Sequence, residues 1–116
     1  MELITAKELK EISDQHVSRK YDTEENKETA RRWWNYKLLF IANEGYSQAI
    51  IRARSKYGKY PLMAEDGDVL IVPSASFEFE LRNKCGLSFN INSMLLDDTL
   101  DKNYQWYDIR VSWLWK

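Results

Sequence analysis

Residues 28–40 read ETARRWWNYKLLF, and this stretch decides where the core of the protein lies. Four apolar side chains recur at spacings of four, four and three: Ala30, Trp34, Leu38 and Ile41. That period is typical of one buried helix face. Adjacent helical residues point about 100° apart, so Trp33 lies at the margin of the face. The pattern therefore predicts a helix with Trp34 in the core and with Trp33 covering a second element, a partner or a ligand.

Start and stop signals around this stretch predict two helices at the N-terminal end. Thr23 is placed to cap the helix that contains Trp34, and Gly45 follows its end. Upstream, Thr5 and Glu8 form a T-x-x-E capping box, which predicts a first helix over residues 6–18. Its apolar face comprises Leu9, Ile12, His16 and Val17. We expect both helices to cover one face of a sheet.

The strands are predicted from alternation. Residues 46–54 alternate with period two, which puts Arg52 and Arg54 on one face of a strand. Residues 68–72 and 87–91 read as two further short strands, and residues 57–61 and 65–68 as loops. The chain closes on a strand whose first face is large and apolar: Tyr107, Ile109, Val111, Trp113 and Trp115. Its other face carries Asp108, Arg110, Ser112 and Leu114.

Residues 75–85 fit two structures. The segment FEFEL alternates as a strand does, and would form a hairpin that turns at NKCG. Alternatively, Ser74 or Ser76 caps a helix in which Phe77 and Leu81 share a face. We favour the helix. The predicted fold is then a single α+β domain over residues 1–116, with two N-terminal helices and a third helix packed on a small, mostly antiparallel sheet.

Composition narrows the classes of function. The net charge of −1, from 17 basic and 18 acidic residues, disfavours binding to duplex nucleic acid, which needs a basic face. Cys85 and His16 are the only residues of their types, so we predict no disulfide, no metal site and no cofactor. No apolar run approaches the ~20 residues of a membrane span, and the first residues are charged and amphipathic. We therefore expect a cytoplasmic protein without a membrane partner.

An enzyme needs a nucleophile, an acid–base pair or a metal at workable spacing. The paired carboxylates, Glu78 with Glu80 and Asp97 with Asp98, have no such apparatus around them and are expected on a solvated face. We predict that the protein is not an enzyme and has no catalytic residue.

The composition differs from that of an ordinary globular protein in its aromatic residues, with five Trp, seven Tyr and four Phe in 116 residues. Trp, Tyr and Arg dominate binding surfaces, because rings give large contact areas and guanidinium forks pair with phosphate or carboxylate. A small core filled with large rings is the plainer explanation of the aromatic content. Arg110 is a further candidate arginine, but for Arg19, Arg82 and Arg110 we favour surface ion pairs with the many Glu and Asp.

Several short motifs resemble those of a group of small phage-encoded accessory proteins. They are the ITAKE start at residues 4–8, the long helix ending at Gly45, the CGLSFNI passage at residues 85–91, and the closing YDIRVSW at residues 107–113. The EDGDVLIV and LLDDTLDKNYQW segments depart from that pattern. The resemblance implies a non-enzymatic viral protein made in an infected bacterium. Proteins of this kind block host machinery, sequester nucleotide signals of antiviral systems, or form part of the virion.

Together these observations predict a phage-type binding protein that counters host defence by sequestering a cyclic nucleotide signal. The alternatives are an inhibitor that binds a host protein directly and a small virion structural protein. The predicted binding residues are Arg31, Arg32, Trp33, Tyr36, Arg52 and Arg54. Phosphates would pair with the arginines and bases would stack on the rings. The excess of rings also predicts a homo-oligomer.

Overall fold

The computed structural model describes residues 2–56, 58–65, 67–94 and 99–113, with the side chains of residues 14 and 17–19 left out. The predictions for the side chains of Val17 and Arg19, and those for Asp97, Asp98, Leu114 and Trp115, lie outside this described part. The helices within it are α1 (Ala6–Tyr21), α2 (Glu24–Asn43) and α3 (Ala75–Asn83). The strands are β1 (Gln48–Ser55), β2 (Leu62–Ala64), β3 (Leu70–Val72), β4 (Ser88–Ser93) and β5 (Gln105–Ser112). They form one antiparallel sheet in the order β3-β2-β1-β5-β4, which confirms the predicted α+β class.

Helix α2 supplies the centre of the core. Its N-terminus is capped as predicted, since the Thr23 hydroxyl accepts a hydrogen bond from the Asn26 amide at 3.2 Å. Trp34 is only 2% exposed, and its indole N–H donates to the Ile71 carbonyl of β3 at 2.6 Å. The Trp33 and Phe89 rings meet the Trp34 ring edge to face at 4.9 and 5.7 Å. Trp33 therefore packs at the margin of the core, against Trp34 itself.

Residues 75–83 form a helix, as we favoured. The Ser74 hydroxyl accepts from the Phe77 amide at 3.3 Å, which satisfies the first turn of α3. Phe77 and Leu81 are both buried in the main core. The position between them decides against the alternating pattern of FEFEL, because a strand would put Phe77, Phe79 and Leu81 on the same buried face. Phe79 is instead 65% exposed.

The sheet has two unlike faces, set by the alternation along β1 and β5. Ala49, Ile51 and Ala53 are buried and pair in register with Val111, Ile109 and Tyr107. This side, called the helix face here, packs against α2 and α3. The intervening residues of both strands point to the opposite side, called the helix-free face. Strand β2 escaped the sequence analysis because three residues, Leu62–Ala64, are too few to show a period.

Helix α1 departs from the expectation that both N-terminal helices cover the sheet. Its capping bond is present, with the Glu8 amide donating to the Thr5 hydroxyl at 3.2 Å. Every described side chain from Ala6 to Lys20 is nevertheless exposed, including Leu9 and Ile12. The helix projects from the rest of the fold and contributes to a molecule 60 Å long and 28 Å thin. A periodic apolar stripe shows that a helix is amphipathic but not what covers it.

Candidate binding site

The six predicted binding residues lie on two sides of the molecule. Arg31, Arg32, Trp33 and Tyr36 lie on α2, which packs on the helix face. Arg52 and Arg54 alternate with the buried residues of β1 and so lie on the helix-free face. The structure does not bring these two groups into one pocket, because the sheet stands between them.

Arg31 is occupied by contacts within the protein. Its guanidinium binds the Glu80 carboxylate of α3 through two bonds, of 2.8 and 3.0 Å. It also donates to Glu24 at 2.7 Å and to Glu28 at 3.2 Å. These bonds raise the pKa of Arg31, and the bond from Arg31 holds the pKa of Glu80 below its ordinary value of 4.5. Arg31 therefore fastens α2 to α3 and has no open fork for a phosphate.

The Arg31–Glu80 pair predicts a pH-dependent stability. A carboxylate with a lowered pKa contributes stability above its ordinary pKa, and that contribution is lost as the pH falls through the lowered value. Arg31→Ala should therefore lower the urea midpoint clearly at pH 7 and much less at pH 3. Arg32→Ala is the matched control, because the Arg32 side chain is 79% exposed and has one ion pair, to Glu28 at 3.6 Å. Equal deficits for Arg31→Ala at both pH values would contradict the assignment to Glu80.

The remaining predicted residues of α2 present an apolar surface. Trp33 is half-buried against the core, with the Lys37 ammonium 6.0 Å from its ring centre. Tyr36 is 74% exposed and stands beside the exposed Leu39 and Phe40. Arg31 is held by its ion pairs and Arg32 points to solvent. This side of the molecule therefore presents aromatic rings and aliphatic groups rather than guanidinium groups that could bind a phosphate.

A groove of about 290 Å³ adjoins that surface on the helix face. It runs between the C-terminal half of α2, the end of α3 and the end of β5. Its walls are almost wholly apolar and include Leu38, Leu39, Leu81, Leu87 and Trp113. Leu39 belongs both to this groove and to the exposed patch of α2, so the two form one continuous apolar surface.

The helix-free face carries the polar chemistry. The Arg54 guanidinium lies 4.7 Å from the centre of the Tyr104 ring and donates to the Gly67 carbonyl at 2.8 Å. It also pairs with Asp68 at 3.3 Å, while its Nε is buried and makes no hydrogen bond. Arg54 thus ties the β2–β3 turn to the segment before β5 and holds a tyrosine ring at the edge of this face.

Arg52 and Arg110 provide the more open cations there. Arg52 is half-exposed and has one long contact to Glu65, at 3.4 Å. Arg110 is exposed and pairs in register with Ile50 on one side and Asn90 on the other. Arg52 is the next β1 residue on the same face, so the two arginines are diagonal neighbours, with side chains roughly 7–8 Å apart at their bases. Asp108 pairs in register with Arg52, and Asn92 pairs with Asp108 on its other side, so both supply acceptors on this face.

Two members of this face are absent from the predicted binding residues. Arg110 was a candidate for which we favoured a surface ion pair, and Tyr104 had no predicted role. The signal for Arg110 was present, because β5 alternates and Arg110 falls on the face opposite Ile109. Tyr104 lies before β5 in a segment without a period, and only the fold brings its ring to Arg54.

Among the residues that the structure describes, no group of three or more His, Cys, Asp or Glu side chains is arranged to hold a metal ion. None of the described helices combines the length and the apolar character needed to cross a bilayer. No model of a known protein family matches the chain, and no curated protein or solved structure is detectably similar to it.

Proposed function

We propose that the protein is a non-enzymatic, phage-type binding protein that acts in the host cytoplasm and counters host defence by sequestering a cyclic nucleotide signal on its helix-free face. The observation that carries the proposal is the pair of open arginines, Arg52 and Arg110, on the same face of the sheet as the tyrosine ring that Arg54 holds. The phage setting comes from the motifs at residues 4–8, 85–91 and 107–113.

The chemistry of this face suits a ligand with separated phosphates and flat bases. Guanidinium groups pair with phosphate through two parallel hydrogen bonds, and Arg52 and Arg110 are spaced to meet two different phosphates. A base can stack on the half-exposed Tyr104 ring. The acceptors of Asp108 and Asn92 can receive hydrogen bonds from amino groups on a base edge. A ligand that uses these contacts requires no basic surface over the whole protein, in keeping with the net charge of −1.

Calorimetric titration with cyclic di- and trinucleotides tests this proposal. We expect one-site saturation by at least one of them, and Arg52→Ala or Arg110→Ala should each weaken binding by about ten- to a hundredfold. That range corresponds to roughly 1.5–3 kcal/mol for one charge-assisted contact. Arg32→Ala is the control, because Arg32 is an exposed arginine on α2 rather than on the sheet. If every nucleotide gives no heat, or if Arg32→Ala weakens binding equally, the helix-free face is not the site.

The second candidate is an inhibitor that binds a host protein directly, or a small virion protein. The continuous apolar surface formed by the groove and by Tyr36, Leu39 and Phe40 favours it, since exposed apolar patches mark protein interfaces. The two candidates use opposite sides of the sheet. Alanine at Arg110 should impair nucleotide binding and leave protein binding unchanged, whereas a charge at Phe40 should impair protein contacts and leave nucleotide binding unchanged.

A further inference from the structure

We infer that the protein forms a two-fold symmetric dimer by helix exchange, in which α1 of each copy packs in the apolar groove and on the outer face of α2 of the other. This inference goes beyond the proposed nucleotide binding and does not depend on it, because the helix-free face is on the other side of the sheet. It starts from α1, whose described apolar side chains, Leu9 and Ile12, are more than half exposed within one copy.

Helix α1 needs a cover to be stable. It has 16 residues and a single alanine, and so only just exceeds the length of about 12–15 residues below which isolated helices are marginal in water even when rich in alanine. Only its end is fastened to the rest of the fold. There the connecting Asp22 accepts a hydrogen bond from the Ser74 hydroxyl at 2.8 Å and pairs with Lys27 at 3.1 Å. Packing of the amphipathic face is therefore what would hold the first three turns of α1 in helical form.

The same chain supplies a surface that matches α1. The groove is a trough of about 290 Å³ with apolar walls, and the exposed Tyr36, Leu39 and Phe40 extend it along α2. An amphipathic helix that lays its apolar face in such a groove is a recurrent mode of recognition. With its own α1 projecting away, one copy leaves its groove open while offering a helix that fits it. Reciprocal exchange between two copies fills both grooves and closes the assembly.

The available area is sufficient for a stable dimer. Six apolar side chains of this surface are more than half exposed: Ile4, Leu9, Ile12, Tyr36, Leu39 and Phe40. Together they offer on the order of 700 Å² on each copy, close to the ~800 Å² per partner of a standard protein interface.

The charges of α1 favour a second copy of this chain as its partner over a membrane or a nucleic acid. Across its 16 residues α1 carries four basic and three acidic side chains, and Lys7 and Lys10 alternate with Glu8 and Glu11, so its polar face has mixed charge. Helices that lie on anionic membranes carry a lysine- and arginine-rich polar face, which α1 lacks. A second copy of this chain, itself close to neutral, presents no electrostatic barrier to α1.

Sedimentation of the full chain at micromolar concentration tests the inference. We expect twice the 13.9 kDa mass of one copy. Ile12→Lys on α1 and Phe40→Glu on α2 should each raise the dissociation constant roughly thirtyfold or more, because a charge replaces a central apolar contact. Phe79→Glu is the matched control: Phe79 is as exposed as Phe40 but lies on α3 away from the groove, so this variant should remain a dimer.

Mixing the two variants distinguishes exchange from a simple pairing of two α2 helices. A mixed dimer of Ile12→Lys and Phe40→Glu keeps one contact in which both α1 and the groove are unaltered, and it sets lysine near glutamate in the other. The mixture should therefore regain dimer that neither variant forms alone. A wild-type monomer, a dimer that survives Ile12→Lys, or a mixture that stays monomeric would each overturn the inference. Circular dichroism of each variant shows whether the rest of the fold is intact.

Discussion

Replacing Trp34 with alanine should lower the free energy of unfolding by about 3–5 kcal/mol, the range found for buried Trp and Phe. The Trp34 ring fills the space between α2 and the sheet and is 2% exposed. Its loss would leave a cavity beside Trp33 and Phe89, which both contact it edge to face. It would also leave the Ile71 carbonyl without the indole N–H that it accepts at 2.6 Å.

Urea unfolding followed by far-ultraviolet circular dichroism measures this effect. Phe79→Ala is the control, because it removes an aromatic ring that is 65% exposed and should change the free energy of unfolding by about 0.5 kcal/mol or less. Should Trp34→Ala prove no more destabilising than Phe79→Ala, the placement of Trp34 at the centre of the core would be wrong.

The second large effect is expected at Trp106, on the other side of the sheet. Trp106 is 6% exposed, and its indole N–H donates to the Asp101 carbonyl at 2.9 Å. Leu100 is also buried, although neither residue belongs to the main core. Trp106→Ala should therefore cost about 3 kcal/mol, at the lower end for a buried ring, since a small cluster can collapse into the space.

The more specific result for Trp106→Ala concerns the segment of residues 99–104. In this variant amide hydrogen exchange should accelerate more in residues 99–104 than in α2. The reason is that the indole of Trp106 holds this segment against the sheet through its bond to the Asp101 carbonyl. Trp106→Phe keeps a smaller ring and loses the hydrogen bond, so it should cost less than Trp106→Ala, about 1–2 kcal/mol. Uniform loss of protection in both places would mean that Trp106 belongs to one global unit with the main core.

The sequence predicted the helices well because each helix begins with a capping residue that can be recognised from its neighbours in the sequence. Thr5, Thr23 and Ser74 all accept the amide hydrogen bonds that their positions suggested. Gly45 adopts a positive φ of 93° after α2, a conformation that favours glycine and ends the helix. The choice of a helix for residues 75–83 depended on the same reasoning.

Tertiary placement could not be predicted from the same signals. The stripe of Leu9 and Ile12 indicates an apolar helix face, but the contact that covers such a face is non-local. For the arginines, by contrast, the sequence already contained the information on which side of the sheet they lie. Alternation put Arg52 and Arg54 on one strand face, and the buried Ala49, Ile51 and Ala53 necessarily take the side of the helices. A pocket shared with Trp33 was therefore already in conflict with the pattern of β1.

Alternate residues of β1 face the core and the helix-free face. The length of this strand can therefore change by two residues, but not by one, without reversing its faces. One inserted or deleted residue between Gln48 and Arg52 would turn the arginines toward Trp34 and the aliphatic residues toward solvent. A two-residue change would keep every later side chain on its own side. A substitution on one face of β1 leaves the other face unchanged. An insertion or deletion of one residue would instead damage the core and the arginine-bearing surface together. Natural variants of the chain should therefore differ in β1 by substitution or by even-numbered changes in length.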